Sequence, residues 1–329
     1  MSETEKFAAF ENRLDLKDLQ DRVQAIKSEI KKVIVGQDKM LDMLLIATLA
    51  GGHALIEGVP GVAKTITAKL LARTLGAGFS RIQFTPDLMP SDVTGSSILD
   101  TRTNEFVFIK GPVFSNIILI DEINRAPAKT QASLFECMVE KQITVDGHRH
   151  VLESPFVVFA TQNPIEHEGT YRLPEAQLDR FLFKIEVDYP SVEDELQILK
   201  EHHGRKNIEK ESLVNPVVSA EELIQYQHLV KEVFAHDQIL EYIAKVVNQT
   251  RNNRDLILGA SPRASIAILE ASKALAAMQG RDFITPEDVK TVIYPIVGHR
   301  VMLTPEREME GFNNRAIIQQ IIDTVEIPR

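Results

Sequence analysis

The residues best suited to chemistry begin at Gly58. In His53-Ala-Leu-Ile-Glu57-Gly58-Val59-Pro60-Gly61-Val62-Ala63-Lys64-Thr65-Ile66 an apolar run leads into a glycine-bearing turn, a Lys-Thr pair and a helical pattern. A triphosphate needs converging backbone N–H groups, the partial positive charge of a helix N-terminus, an ammonium for its β and γ oxygens, and a hydroxyl for Mg²⁺. The segment supplies all four. Ala63 stands where a strict phosphate-loop pattern has glycine, and its methyl group predicts a loop that passes Ala63 at negative φ. Without the helix behind it, the stretch would read as a Gly-Pro-Gly turn with Lys64 solvated.

A second buried-type run, Asn116-Ile-Ile-Leu-Ile120, ends in Asp121-Glu122. Two carboxylates at the end of a strand suit a metal-shell ligand, Asp121, beside the Mg²⁺ held by Thr65, and a general base, Glu122, for in-line attack of water on the γ-phosphate. Taken alone, the pair would equally suit an acidic N-cap. A third run, Phe156-Val-Val-Phe-Ala-Thr-Gln-Asn163-Pro164, carries an amide fit to orient that water, or simply an Asn-Pro turn. Arg180 in Ala176-Gln-Leu-Asp-Arg180-Phe181 could neutralise transition-state charge in a neighbouring subunit, worth ~10³ to 10⁵ in rate, or could pair with Asp179 or Glu175. Arg263 falls in the first turn of a helical pattern, where it opposes the helix dipole and so points to a nearby anion.

Other groups carry weaker signals. His148 and His150 share a hairpin face but lack further ligands at metal spacing, His202-His203 suit a helix C-terminus, and Cys137 sits in an apolar stretch. One cysteine excludes an internal disulfide or a four-cysteine zinc module. A formal charge of −10 makes nucleic acid a poor default partner unless basic residues cluster. The longest run without Asp, Glu, Lys or Arg, Met43 to Ile56, falls short of the ~20 apolar residues of a membrane span. The first residues, MSETEKFAAFENRLDLKD, lack the layout of a secretory signal, which leads to a cytoplasmic expectation.

The elements that position these residues are legible as patterns. Leu19, Val23, Ile26, Ile30 and Val33 form one helical stripe, predicting a helix over about 15–35 that stops at Gly36. Short apolar runs at 54–56, 82–84, 117–120, 156–160 and 183–187 alternate with helical patterns, which predicts an α/β core with a parallel sheet between helices. Two hairpins interrupt it, at about 96–112 and 142–153, the second on an Asp146-Gly147 turn. After Pro190 only helical patterns remain, so the expected division is a nucleotide-binding core over 1–190 and an all-helical domain over 191–329.

Together these motifs resemble those of AAA+ ATPases, and specifically the MoxR family. GVPGVAKT at 58–65 resembles Walker A, IILIDEINRAP at 117–127 Walker B and its extension, ATQNP at 160–164 sensor 1, LPEAQLDRF at 173–181 the arginine-finger segment and GASPRA at 259–264 sensor 2. RIQFTPDLMPSDVTG at 81–95 and the hairpin at Gly147 resemble the family's helix-2 and pre-sensor insertions, and alanine at position 63 is the family's usual form. The resemblance implies a P-loop AAA+ core with a C-terminal helical lid and an ATPase with ATP and Mg²⁺ as cofactors. It implies that Gly58 through Ile66 bind phosphate, that Thr65 and Asp121 serve the metal, and that Glu122 is the base. It further implies that Asn163 senses γ-phosphate, Arg180 reaches the next subunit and Arg263 bridges the lid to nucleotide, with Gly36 and Gln37 near adenine. A finger in trans implies a ring, usually a hexamer. The implied work is chaperone-like remodelling of client protein complexes, often beside a partner with a von Willebrand factor A domain. A nucleic-acid motor and a nucleotide-gated scaffold with little hydrolysis are the competing readings.

Overall fold

The computed structural model describes residues 14–164, 171, 173–204 and 210–328. Most of the N-terminal stretch read above for a signal lies outside them. In chain order come α1 (Lys17–Lys31), α2 (Asp38–Leu49), β1 (Ala54–Gly58), α3 (Lys64–Thr74), β2 (Phe79–Gln83), α4 (Pro90–Thr94), β3 (Gly95–Asp100), β4 (Glu105–Lys110) and β5 (Ile117–Asp121). There follow α5 (Ala128–Glu140), β6 (Gln142–Val145), β7 (His148–Val151), β8 (Val157–Gln162), α6 (Glu175–Leu178), β9 (Phe183–Val187), α7 (Val192–Gly204) and α8 (Ala220–Lys231). The last elements are α9 (Asp237–Arg251), β10 (Leu256–Leu258), α10 (Pro262–Met278), α11 (Pro286–Val297), β11 (Met302–Leu303), α12 (Pro305–Met309) and α13 (Asn314–Thr324).

The chain forms two compact units, one of residues 25–224 and one of 1–24 with 225–329. This division differs from the expected one near Pro190. The segment after Pro190 belongs to the first unit because it is tied along α3: Arg73 Nε donates to the Val214 carbonyl at 2.7 Å, and the Val217 N–H donates to Thr74 O at 2.7 Å. The predicted N-terminal helix ends at Lys31 rather than Gly36. Its stripe is nonetheless buried from Leu19 to Val33, and Gly36 and Gln37 follow in the left-handed region, at φ 67° and 58°.

In the first unit five strands form one parallel sheet in the order β2-β5-β8-β1-β9. Strand β5, Ile-Ile-Leu-Ile-Asp, is buried along its whole length, as an unalternating apolar run predicts for a strand covered on both faces. Ile118 and Ile120, with Leu55, Val158 and Ala160, join Leu134, Phe135 and Met138 of α5 in one apolar cluster. Because β8 lies between β5 and β1, the ends of those three strands open side by side, where α/β sheets bind ligands.

Both predicted hairpins are present. The β6–β7 turn runs through Asp146 and Gly147 at φ 49° and 78°, the two positive values of the turn that an Asp-Gly pair favours. The β3–β4 hairpin leaves Phe106 75% exposed, with Ile98, Leu99 and Ile109 also open to solvent. His150 of β7 stacks on Phe108 of β4 with ring centroids 4.0 Å apart and meets Phe114 edge-on, so the hairpins touch through aromatic contacts.

The second unit is helical apart from a small antiparallel ribbon, β10 with β11, too short to leave a periodic signal in the sequence. Its core comes from the apolar faces of α9, α10, α11 and α13. Thr285 caps α11 reciprocally with Asp288, whose two oxygens also take the Arg281 guanidinium at 2.6 and 2.8 Å.

Candidate active site

Strand β1 delivers the chain to Gly58, where a Cβ would come within 2.6 Å of the Val187 carbonyl of β9. Only glycine lets the two backbones approach this closely. The loop then turns through Gly61 at φ 86° and reaches Ala63 at φ 64°, ψ 18°. Ala63 is therefore left-handed, contrary to the negative φ expected from its methyl group. That conformation costs an L-residue roughly 1–2 kcal/mol, and the next turn of helix holds it in place. The Ala63 carbonyl accepts both the Thr67 N–H, at 3.0 Å, and the Thr67 hydroxyl, at 2.9 Å. Among the described residues no side chain caps α3 at Ala63, and the start of a helix, with its first-turn N–H groups and partial positive charge, suits an anion.

A cavity of about 430 Å³ opens at this helix end, within the ordinary size range of ligand sites. Its walls are Gly61, Ala63, Lys64, Thr65, Ile66, Lys69, Arg81 and Glu211. Lys64 Nζ donates to the Gly58 carbonyl and, at 3.4 Å, to that of Gln162, so the ammonium lies between the ends of β1 and β8. Lys69 and Glu211 form an ion pair at 2.6 Å on the wall.

Asp121 ends β5 and is buried. Its Oδ1 accepts the hydroxyls of Thr65 and Thr161, each at 3.2 Å, and its Oδ2 accepts Arg81 Nε at 2.6 Å. A hydroxyl and a carboxylate this close, beside a phosphate loop, are the hard oxygen donors that Mg²⁺ takes alongside phosphate and water, so the residues fit that ion. Glu122 follows in the left-handed region at φ 58°, ψ 53°, a strained state for a non-glycine residue. Its N–H donates to Thr161 Oγ1 at 3.0 Å, and its Oε2 takes the Gln83 amide at 2.8 Å and Arg125 Nε at 3.0 Å. Asn163 is buried immediately beyond β8, which the strand order sets between Asp121 and the phosphate loop.

The remaining expected site residues lie elsewhere. Arg180 falls between α6 and β9, off the cavity wall, and its buried Nε has no hydrogen-bond acceptor among the described residues. Gly36 and Gln37 pack against the segment after β9: the Gln37 amide donates to Asp188 O at 3.2 Å, and a Cβ at Gly36 would meet Asp194. Arg263 occupies the first turn of α10 in the other compact unit. Cys137 is buried, with its thiol donating to Ser133 O at 3.0 Å, and burial pushes its pKa up to about 12.

Sequence reasoning missed Arg81, Gln83, Thr161 and Arg125. Arg81 and Gln83 are two residues apart on β2, and the register pairs Gln83 with Asp121. That i, i+2 spacing in RIQF was available as a strand-face signal, but only the strand order makes it point at Asp121.

The geometry has counterparts among known proteins. Residues 53–183 match the ATPase family associated with various cellular activities (AAA), and residues 248–321 match the AAA lid domain. Protein YeaC of Bacillus subtilis is 46% identical over 311 residues, covering 94% of this chain and 96% of its own. Chaperone MoxR1 of Mycobacterium tuberculosis is 43% identical over 310 residues, covering 92% of this chain and 81% of its own. Protein MoxR of Methylorubrum extorquens is 30% identical over 343 residues, 95% of this chain and 97% of its own. A crystal structure from Cytophaga hutchinsonii superposes with a TM-score of 0.88 at 41% identity, over 95% of this chain and 97% of that one.

Proposed function

Because this chain belongs to the MoxR family of AAA+ ATPases and is a chaperone-like ATP hydrolase, we propose that it turns over Mg²⁺-ATP as a ring and uses the cycle to remodel client protein complexes. The observation that carries the site reading is the convergence on one cavity of an uncapped, left-handed phosphate loop and a Thr65–Asp121 pair at 3.2 Å. In this reading Gly58 to Ile66 cradle the phosphates and Lys64 exchanges its carbonyl partners for β and γ oxygens. Thr65 and Asp121 would hold Mg²⁺, which draws charge from the phosphates when bound.

Glu122 takes a proton from a water that Asn163 orients, and the water oxygen bonds to the γ-phosphorus as the bond to the β–γ bridging oxygen breaks. ADP and inorganic phosphate leave, and Glu122 returns the proton to solvent. For this, Glu122 must exchange its hold on Gln83 and Arg125 for the water. Arg180 completes the site of the neighbouring subunit, a role supported by its place off the wall of the cavity in its own chain. In the same reading Arg263 contacts the nucleotide phosphates, and Gly36 and Gln37 contact the adenine.

The exposed apolar β3–β4 hairpin and its aromatic contact with β6–β7 offer the client-facing surface, with a partner carrying a von Willebrand factor A domain as adaptor. Among the described residues no helix is long and apolar enough to cross a membrane, and the cytoplasm is the proposed compartment. The test is Mg²⁺-dependent ATP turnover per subunit over a wide range of protein concentration. Specific activity that rises with assembly supports a site completed by Arg180 in trans. Flat, appreciable activity where sizing shows monomer would overturn the ring.

A further inference from the structure

Asp121 is a carboxylate with its side chain only 7% exposed, and a buried charge without an opposite partner is costly. Its two oxygens are engaged differently. Oδ1 receives two neutral hydroxyls, from Thr65 and Thr161, whereas Oδ2 receives the Arg81 guanidinium through Nε at 2.6 Å. The neutralising charge thus comes from β2, beside the phosphate loop in space but not in sequence. Arg81 is itself 53% exposed and lines the same cavity as Lys64 and Thr65, so it has room to leave. A carboxylate that is to serve a dication gains nothing from a competing guanidinium unless that cation holds it ready beforehand.

We infer that Arg81 is a positioning residue that stands in for the metal: it pairs with the Asp121 carboxylate and holds it in place in the metal-free enzyme, then yields Oδ2 when Mg²⁺ arrives with nucleotide. The inference rests on the Mg²⁺-ATPase reading above and adds to it a residue that opposes metal binding while preserving the site for it. The same competition makes the bare site a poor magnesium site and leaves nucleotide phosphates to tip the balance. Because one partner is half exposed, the guanidinium's hold is modest, so its removal should change metal affinity on the order of five-fold.

The test titrates Mg²⁺ into protein holding methylanthraniloyl-ADP and follows the probe's fluorescence, with no turnover involved. The Mg²⁺ midpoint of Arg81→Gln is expected to fall on the order of five-fold below that of the unaltered chain. Should Arg81→Gln not fold, Arg81→Met, which keeps the apolar stem and removes the charge, carries the same expectation. A raised midpoint would show that Arg81 anchors phosphate instead, and an unchanged one that it does not compete; either overturns the inference. If the unaltered chain shows no Mg²⁺ response, the metal reading itself falls and the inference with it, whereas a response with equal midpoints sinks the inference alone. A second readout uses protein free of metal and nucleotide. Arg81→Gln should lower the melting temperature in the unaltered background and not in an Asp121→Asn background, where no buried charge is left to neutralise. An equal loss in both backgrounds counts against the pairing.

Discussion

His53 immediately precedes β1, the strand that feeds the phosphate loop, and acid should weaken the fold through this ring. It is buried, its Nδ1 accepts the Val158 N–H at 3.0 Å, and its Nε2 lies 3.2 Å from the Met138 carbonyl, to which it donates. Both ring nitrogens are satisfied by the neutral form, and a proton on Nδ1 would cost the bond to β8. Burial lowers the pKa from 6.5 to about 4, with nearby Lys141 adding to the effect. Since the folded pKa lies below the unfolded one, the unfolded chain binds the extra proton first. Stability is therefore complete above about pH 6.5, declines as pH falls, and stops declining through this group below about pH 4. At about pH 5 the unfolded ring is some 1.5 units below its pKa while the folded ring is still neutral, so at about 1.36 kcal/mol per unit the loss is about 2 kcal/mol. Urea unfolding followed by far-ultraviolet circular dichroism, suited to a chain with no tryptophan, would compare the unaltered protein with His53→Gln at about pH 7.5 and pH 5. The variant is less stable at both values but should lack this part of the slope. Carboxylates such as Glu29, held below the usual range by its hydrogen bond from Lys32, act alike in both proteins and cancel. Parallel pH profiles for the two proteins would refute the reasoning.

Three further outcomes follow from the site. Lys64→Ala should abolish binding of methylanthraniloyl-nucleotide, whereas Glu122→Gln should keep binding and lose turnover by at least ~10², read by titration and phosphate release; retained turnover would remove Glu122 from its role. Arg180→Ala should slow turnover by ~10³ or more, and mixing it with Glu122→Gln should restore part of the activity, because one subunit then offers Glu122 and its neighbour Arg180. No recovery in mixtures that sizing shows to be co-assembled would place Arg180 in its own site. Gly58→Ala should disrupt β1 against Val187, lowering the melting temperature and nucleotide affinity together, while Gly61→Ala, with open space around its Cβ, should carry only the roughly 1–2 kcal/mol of its positive φ. Equal melting temperatures for Gly58→Ala and the unaltered chain would contradict the close approach to β9.

The parts of the site that lie on contiguous stretches were the legible ones. A strand, a turn, Lys64-Thr65 and a helix form one local unit, so their chemistry could be proposed before any fold was known; likewise Asp121 and Glu122 at the end of an unbroken apolar run. The hairpins were legible for the same reason, since Asp146-Gly147 admits few other turns. Helix α1 was visible as a stripe, but its end was not, because a glycine marks where a helix can stop rather than where it does. The ribbon β10–β11 left no signal, since two or three residues cannot show a period. The reach of the first unit to residue 224 was likewise hidden, depending on hydrogen bonds from Arg73 and Thr74 to a distant segment.

What the sequence by itself determined, then, is the local chemistry: a phosphate loop, paired carboxylates, and apolar runs that must be covered on both faces because water would otherwise meet them. Tertiary structure alone decided which strands are neighbours. The order β2-β5-β8 places Arg81, Gln83 and Thr161 around Asp121 and Glu122, and no spacing along the chain contains that order. It also decided the backbone of Ala63, since local sterics oppose a positive φ there and the Thr67 bonds that hold its carbonyl exist only once the loop has turned into α3. Local preferences act over a few residues, whereas the charge on Asp121 is balanced by whichever side chain the sheet brings beside it.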